Sequence, residues 1–122
     1  MKTAFLFAGQ GSQFVGMGRD FYEEYQRFRE VFDLLPEKQK QIAFEGPEDE
    51  LGNTANTQPI LLAFALGVYG VINDTGLKCD VAAGLSLGEY SALAASGVFS
   101  PRQALELIQF RADAMEIGRA HV

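Results

Sequence analysis

A glycine-serine pentapeptide constrains this chain more than any other feature of its sequence. The segment 84–88, with the sequence GLSLG, lies between a short apolar run, 79–83, and a stretch of mostly small residues, 89–95. The apolar run predicts a strand and the small residues predict a helix. A serine in a tight turn between them has a strained backbone, and its flanking glycines remove side chains that would collide there. The pattern predicts a nucleophilic Ser86, the alternative being an ordinary glycine-rich turn with a capping serine.

The segments before this turn predict further elements of an α/β fold. An apolar run at 3–8 predicts a strand that is covered on both faces, as in a parallel sheet. Apolar residues at every third or fourth position predict one amphipathic helix over 21–35, ending before Pro36. Residues 37–56 are polar and contain turn signals, so we expect connecting structure with at most short helical turns.

Two longer helices are expected further along the chain. The segment 57–73 is apolar on every side, which predicts a helix buried on every side, with Thr57 as a candidate cap. The tetrapeptide 100–103, SPRQ, is a capping box with proline at the first helical position, and it begins an amphipathic helix. The order of strand, helices, strand, helix and helix predicts an α/β fold with a parallel sheet.

Two predicted strands cannot enclose a helix that is apolar all round. A two-stranded parallel sheet exposes both edges, so we expect an apolar face that favours self-association of this chain. The residues expected to be unusually exposed are Phe5, Phe7, Leu61, Phe64, Val81 and Ile108.

Composition and length exclude several classes of protein. A chain of 122 residues has the length of one domain, and its net charge of -6 argues against binding nucleic acid. The single cysteine, Cys79, and the single histidine, His121, predict neither an internal disulfide nor a metal site. The first apolar run is too short for a signal peptide, and glycines interrupt the longest one, 59–72. We therefore expect a cytoplasmic protein without a membrane-spanning segment.

Two further sequence features carry chemistry. The segment 9–13, GQGSQ, follows the first strand, so a parallel sheet brings it to the same edge as Ser86. Its backbone amides and the side-chain amide of Gln10 can donate hydrogen bonds to an oxyanion, the alternative being a flexible glycine loop. Arg111 lies beside the apolar stripe of the last helix, either as a solvated surface charge or as a clamp for a carboxylate.

In series, these features resemble a known enzyme family. The segments are AGQGSQ at 8–13, GMG at 16–18, NTQP at 56–59, GLSLGEYSAL at 84–93, and Arg111. In order and spacing they closely resemble the malonyl-CoA:acyl-carrier-protein transacylases of type II fatty-acid synthesis. The resemblance implies the N-terminal part of an α/β-hydrolase-like large subdomain, with a parallel sheet and flanking helices, in incomplete form. Residues 1–115 would form that segment, and residues 116–122 diverge from the family pattern.

The resemblance also implies a role for individual residues. Ser86 would carry the malonyl group as an ester, and Gln10 with the amide of Leu87 would form the oxyanion hole. Arg111 would pair with the malonyl carboxylate, and Gln58 would line the pocket. The partners would be malonyl-CoA and acyl carrier protein, with malonyl passing from coenzyme A to the serine and then to the carrier's thiol. The resemblance implies a reaction without a cofactor or a metal.

The chain departs from the family pattern in two places. Leu85 stands where many members have a histidine, and the family's catalytic histidine lies downstream, beyond a small ferredoxin-like subdomain. Because His121 is next to the last residue, we interpret it as part of a surface tail, and we expect little turnover from these 122 residues alone. The alternatives to the transacylase are a serine hydrolase, such as an esterase or thioesterase, and an inactive fragment of the enzyme.

Overall fold

The computed structural model describes residues 1–120, so His121 lies outside the described residues. Two strands and seven helices follow in the order β1 Ala4–Phe7, α1 Arg19–Glu24, α2 Gln26–Phe32, α3 Glu37–Glu45, α4 Glu48–Leu51, α5 Thr54–Asp74, β2 Val81–Gly84, α6 Leu87–Ala95 and α7 Pro101–Ala120. The strands pair in parallel, with Ala4 opposite Val81 and Phe7 opposite Gly84. The predicted α/β fold with a parallel sheet is confirmed.

The first amphipathic segment forms two helices, so the prediction of one helix over 21–35 is wrong. Tyr25 has an extended backbone, with φ -117° and ψ 116°, and it separates α1 from α2. The break turns Phe21 back onto Phe28, and their rings stack with centroids 5.6 Å apart. Arg29 Nη1 donates to the carbonyl of Tyr22 at 2.7 Å near the end of α1. Tertiary packing thus outweighs the helical periodicity of the sequence.

The prediction that 37–56 is connecting structure is also wrong. This segment contains the nine residues of α3 and the four of α4. α3 buries Ile42 and Ala43 in the core, and α4 buries Leu51. The apolar stripe of α3 is narrow, which is why the polar composition of the segment hid the helix.

The central helix, α5, begins earlier than the sequence predicts. Its N-cap is Asn53, whose side chain accepts a hydrogen bond from the amide of Ala55 at 3.0 Å. Thr57 is therefore not the cap, and its hydroxyl donates to the carbonyls of Leu51 and Asn53. α5 packs mainly against α7 and α2, which places it at the centre of the core.

Only the first half of α5 is buried on every side. Its C-terminal half, including Val68, Tyr69 and Ile72, is half-buried and borders an open apolar cavity of about 450 Å³ beside β1. The prediction that the helix is buried on every side is wrong for this half, because no described element covers the cavity.

The helix α5 is continuous through Gly67 and Gly70, which the sequence analysis expects to interrupt it. By length and composition alone it therefore meets the criterion for a membrane-spanning helix, contrary to that expectation. Gly67 instead allows a close approach between helices, because a Cβ there would lie 2.6 Å from the ring of Phe28. Half of the apolar window that meets the membrane criterion is buried inside the fold. This glycine therefore has a packing role in the contact between α5 and α2.

The sheet leaves one apolar face uncovered. On its covered face Phe5 and Phe7 contact Tyr69 of α5, with ring centroids 5.6 and 6.4 Å apart. On the other face Leu6 is 81% exposed and Val81 is 60% exposed. The predicted exposure of Val81 is thus confirmed. The other residues expected to be exposed are half-buried, namely Phe5, Phe7 and Phe64, or buried in the core, namely Leu61 and Ile108.

A polar cluster ties α1 to α3. The Tyr22 hydroxyl and the Lys40 ammonium donate to the same oxygen of Asp33, at 2.7 and 2.9 Å. Burial raises the pKa of the Asp33 carboxyl, but these two hydrogen bonds outweigh burial and hold its pKa below the usual value. The hydrogen bond to Asp33 raises the pKa of Lys40 to about 12.

This cluster predicts a pH-dependent contribution to stability. Because the Asp33 pKa is lower in the folded chain, its contribution is present above the unfolded pKa and is lost as the pH falls through the folded pKa. Asp33→Asn should lower the free energy of unfolding at pH 7 by less than about 1 kcal/mol, since the ion pair between Asp33 and Lys40 is partly exposed. Urea unfolding at pH 7 and at pH 2 checks this. A difference between variant and parent that does not shrink at pH 2 would contradict it.

Candidate active site

The turn from β2 to α6 has the strained geometry that the pentapeptide predicts. Ser86 has φ 53° and ψ -105°, and it is the one non-glycine residue with a positive φ in the described part of the chain. A Cβ on Gly84 would lie 2.0 Å from the carbonyl carbon of Gly88. A Cβ on Gly88 would lie 2.2 Å from the carbonyl oxygen of Phe7. Both glycines are therefore required for strand and helix to meet at Ser86.

Ser86 is exposed at the N-terminus of α6. Its hydroxyl accepts a hydrogen bond from Arg111 Nη2 at 3.0 Å. The following amide, that of Leu87, donates to no protein acceptor within residues 1–120. The N-terminal amides of a helix also carry a partial positive charge, which favours an anion beside them. The turn thus presents a hydroxyl and an unpaired N–H group side by side in the sequence.

The loop 9–13 lies beside this turn, as the parallel sheet predicts. Gly9 is so close that a Cβ there would lie 2.9 Å from the carbonyl oxygen of Leu85. The side chain of Gln10 points to α5, where its Nε2 donates to Thr54 Oγ1 at 3.1 Å and its Oε1 accepts from Gln58 Nε2 at 3.3 Å. One N–H of this side-chain amide is thus engaged with Thr54, and its part in an oxyanion hole stays a prediction. The main-chain N–H of Gln10 has no protein acceptor among the described residues.

Gln58 connects the Gln10 loop to Arg111. It lies on α5 and is fully buried. Its Oε1 accepts from Arg111 Nη1 at 2.8 Å, and its Nε2 lies 3.2 Å from Met115 Sδ as well as near Gln10. A buried amide whose two ends are both bonded has a fixed orientation. Gln58 therefore holds the arginine and the loop in register.

Arg111 lies in the cleft with Ser86 and not on an open face of α7. Its guanidinium also sits over the ring of Tyr90, 5.2 Å from the centroid. No carboxylate within the described residues forms an ion pair with it. A half-buried cation held by neutral groups is a suitable partner for a carboxylate ligand.

The structure adds three residues that sequence reasoning missed. Tyr90 stacks on the arginine, Thr54 holds Gln10, and Glu116 Oε1 accepts from the amide of Thr54 at 3.1 Å. Thr54 and Gln58 are four residues apart, a spacing that places both on one face of a helix. The helix predicted from the sequence begins at Thr57, so Thr54 lies outside it and this spacing gives no signal.

No metal site is evident in the same region. Among residues 1–120 no group of three or more histidine, cysteine, aspartate or glutamate side chains is arranged to hold an ion. The expectation of a reaction without metal or cofactor stays a prediction.

Comparison with known proteins identifies the family. A family model described as an acyl transferase domain matches residues 4–118. The chain belongs to this acyl transferase family. The match includes both strands, the serine turn and the greater part of α7.

Individual relatives of this acyl transferase domain are consistent with that assignment. The malonyl CoA-acyl carrier protein transacylase of Bacillus subtilis (strain 168) is 42% identical over 118 residues, which are 93% of this chain and 37% of the relative. The crystal structure of the acyl-carrier-protein-S-malonyltransferase from Bartonella henselae has a TM-score of 0.89 and 46% identity, covering 95% of this chain and 40% of that one. A malonyl-transacylase in complex with a type II polyketide acyl-carrier protein has a TM-score of 0.87 and 36% identity, with coverages of 95% and 39%. The chain thus spans about 37–40% of the length of these relatives.

Proposed function

We propose that Ser86, Arg111, Gln58 and the Gln10 loop form part of an active site that transfers malonyl from coenzyme A to acyl carrier protein. The observation that carries the proposal is Arg111, a cation without a carboxylate partner in residues 1–120, held 3.0 Å from the hydroxyl of Ser86. A malonyl group has both groups that such a pair needs, a thioester carbonyl for the serine and a free carboxylate for the arginine. The names of the relatives agree with this substrate.

Ser86 is the proposed nucleophile of a two-step transfer. Its Oγ attacks the thioester carbonyl of malonyl-CoA, the C–S bond breaks, and coenzyme A leaves as its thiol. In the second step the phosphopantetheine thiol of the carrier attacks the serine ester, and the hydroxyl recovers its proton. Residues 1–120 contain no histidine. We propose that the general base is a histidine outside the 122 residues, as the family resemblance implies.

The oxyanion hole is proposed to consist of two main-chain amides. The N–H of Leu87 at the start of α6 and the N–H of Gln10 are free of protein acceptors in the described part of the chain. Preorganised donors of this kind stabilise a tetrahedral intermediate because they need no rearrangement as its charge develops. Gln58 supports the hole through Gln10 and supports the arginine through its other end.

Arg111 is the proposed source of selectivity for malonyl. Binding of an acyl group without a carboxylate removes water from the Arg111 guanidinium and gives it no new partner, which costs free energy. Acetyl and longer acyl groups should therefore bind less well than malonyl. A serine hydrolase would share the turn at Ser86, and hydrolysis of malonyl-CoA far in excess of transfer would favour that alternative. The carrier partner and the cytoplasmic location belong to the same proposal.

Turnover tests the proposal in a fusion protein. Residues 1–118 replace the matching segment of the Bartonella henselae transferase, which is 46% identical. We expect transfer of malonyl from coenzyme A to carrier protein, and a loss of at least about a thousandfold in Ser86→Ala. Ser96→Ala, at the exposed C-cap of the same helix, is the matched control.

The 122-residue chain by itself is the second sample in this experiment. We expect little transfer from it, because a serine hydroxyl without a general base is a weak nucleophile at neutral pH. Robust transfer by Ser86→Ala in the fusion protein would contradict the proposed function. Robust transfer by the 122-residue chain would contradict a base outside these 122 residues and would point to His121.

A further inference from the structure

A series of hydrogen bonds connects Arg111, beside Ser86, to Thr54. The donor and the acceptor in each of these bonds are determined by the arginine. Arg111 can only donate, so Gln58 must present its Oε1 to it, at 2.8 Å. Gln58 Nε2 is then the donor to Gln10 Oε1, at 3.3 Å. Gln10 in turn donates through its Nε2 to Thr54 Oγ1, at 3.1 Å. The charge of the arginine therefore makes Thr54 an obligatory acceptor at the far end.

Thr54 is itself held from the other side. It is the first residue of α5 and is only 7% exposed. Its N–H is one of the helix N-terminal donors without a partner in its own helix, and it donates to Glu116 Oε1 at 3.1 Å. Glu116 lies on α7, which also carries Arg111. Both ends of the hydrogen-bond chain are thus attached to one helix.

The carboxamide of Gln10 is consequently clamped between two residues of α5, Thr54 on one side and Gln58 on the other. Within the loop, the Gly11 N–H donates to Gln13 Oε1 at 2.8 Å and Ser12 Oγ donates to the Gly9 carbonyl at 3.0 Å. Gln10 is flanked by Gly9 and Gly11, and Gly11 has φ 114°. The clamp on the side chain ties Gln10 to α5, while Gly9 next to it lies against the carbonyl of Leu85.

We propose that Thr54 is a positioning residue that orients the main-chain N–H of Gln10 toward the oxyanion, and that Glu116 holds Thr54 in place. This proposal rests on the proposed function, because the clamp matters for catalysis only if the Gln10 N–H belongs to an oxyanion hole. Neither residue touches the reacting atoms. Their effect passes through the side chain of Gln10.

The clamp can be measured without turnover. In Thr54→Val the hydroxyl acceptor is replaced by a methyl group of the same shape, and Thr54→Ser keeps the acceptor. By NMR of the 122-residue chain, hydrogen exchange of the Gln10 side-chain amide should accelerate in Thr54→Val to the rate of the exposed Gln41. Thr54→Ser should restore slow exchange. Equal exchange rates in the two variants would overturn the clamp.

Kinetics in the fusion protein test the purpose of the clamp. Thr54→Val should lower kcat on the order of tenfold with KM unchanged, because a misplaced oxyanion donor acts mainly in the transition state. Glu116→Leu should reproduce this loss, and Glu116→Gln should rescue it because an amide oxygen still accepts from the Thr54 N–H. A matched loss of thermal stability with kcat intact would show a purely structural role and overturn the proposal.

The two proposals fail in different ways. A parent fusion protein that is folded but transfers no malonyl contradicts the proposed function, whatever the exchange rates show. A parent that transfers malonyl, with Thr54→Val and Thr54→Ser equal in kcat, contradicts the positioning role alone. Should Thr54→Val not fold, the comparison of Glu116→Leu with Glu116→Gln gives the same decision.

Discussion

Arg111→Ala is expected to remove the preference for malonyl over acetyl donors while leaving the fold intact. The guanidinium contacts Gln58, Ser86 and the ring of Tyr90, and it forms no ion pair within the described residues, so its removal breaks no charge pair there. A half-buried cation that binds a carboxylate stabilises only those substrates that carry one. The ratio of kcat/KM for malonyl-CoA to that for acetyl-CoA should fall by roughly a hundredfold.

Steady-state kinetics with both donors, in the fusion protein, measure this ratio. Arg102→Ala is the matched control because Arg102 lies on the same helix and is exposed. Arg111→Lys should recover only part of the selectivity, since an ammonium lacks the two parallel donors of a guanidinium. An unchanged ratio in Arg111→Ala would place the carboxylate of the substrate elsewhere.

Gly88→Ala is expected to prevent the native packing of the sheet edge. The added Cβ would lie 2.2 Å from the carbonyl oxygen of Phe7, and no real contact of this kind is so short. Phe7 is a residue of β1 and Gly88 lies in α6, so relief requires the strand and the helix to separate. The expected cost is about 3 kcal/mol or more, in the range of severe overpacking.

Urea unfolding of the 122-residue chain, followed by circular dichroism, measures this cost. Gly118→Ala is the matched control, because a Cβ at Gly118 meets nothing within 4 Å and its backbone is helical. It should leave the unfolding midpoint unchanged or raise it slightly. A Gly88→Ala chain as stable as the control would contradict the close approach of the helix to the strand.

The part of the site that depends on local geometry could be predicted from the sequence. The glycines at 84 and 88 indicate a tight turn around Ser86, and the structure gives that serine a positive φ of 53°. The placement of the Gln10 loop beside Ser86 followed from the parallel pairing of two short apolar runs. Both inferences use contacts between segments whose relative position the strand pairing determines.

The part that depends on packing between distant helices could not be predicted. Whether Arg111 faces solvent or the cleft is decided by the contact of α7 with α5, through Gln58. The bond from Thr54 to Glu116 joins residues 62 positions apart, and no periodicity indicates it. The break at Tyr25 likewise follows from the stacking of rings on neighbouring helices and not from local propensity.

The most direct test of the account is the covalent state of Ser86 during turnover. The fusion protein is mixed with malonyl-CoA without carrier protein, quenched in acid and analysed by intact mass and peptide mapping. We predict a mass gain of one malonyl group on the peptide that contains Ser86, its loss on addition of carrier protein, and its absence in Ser86→Ala. Transfer to the carrier with no adduct on Ser86, or an adduct that persists in Ser86→Ala, would contradict the account.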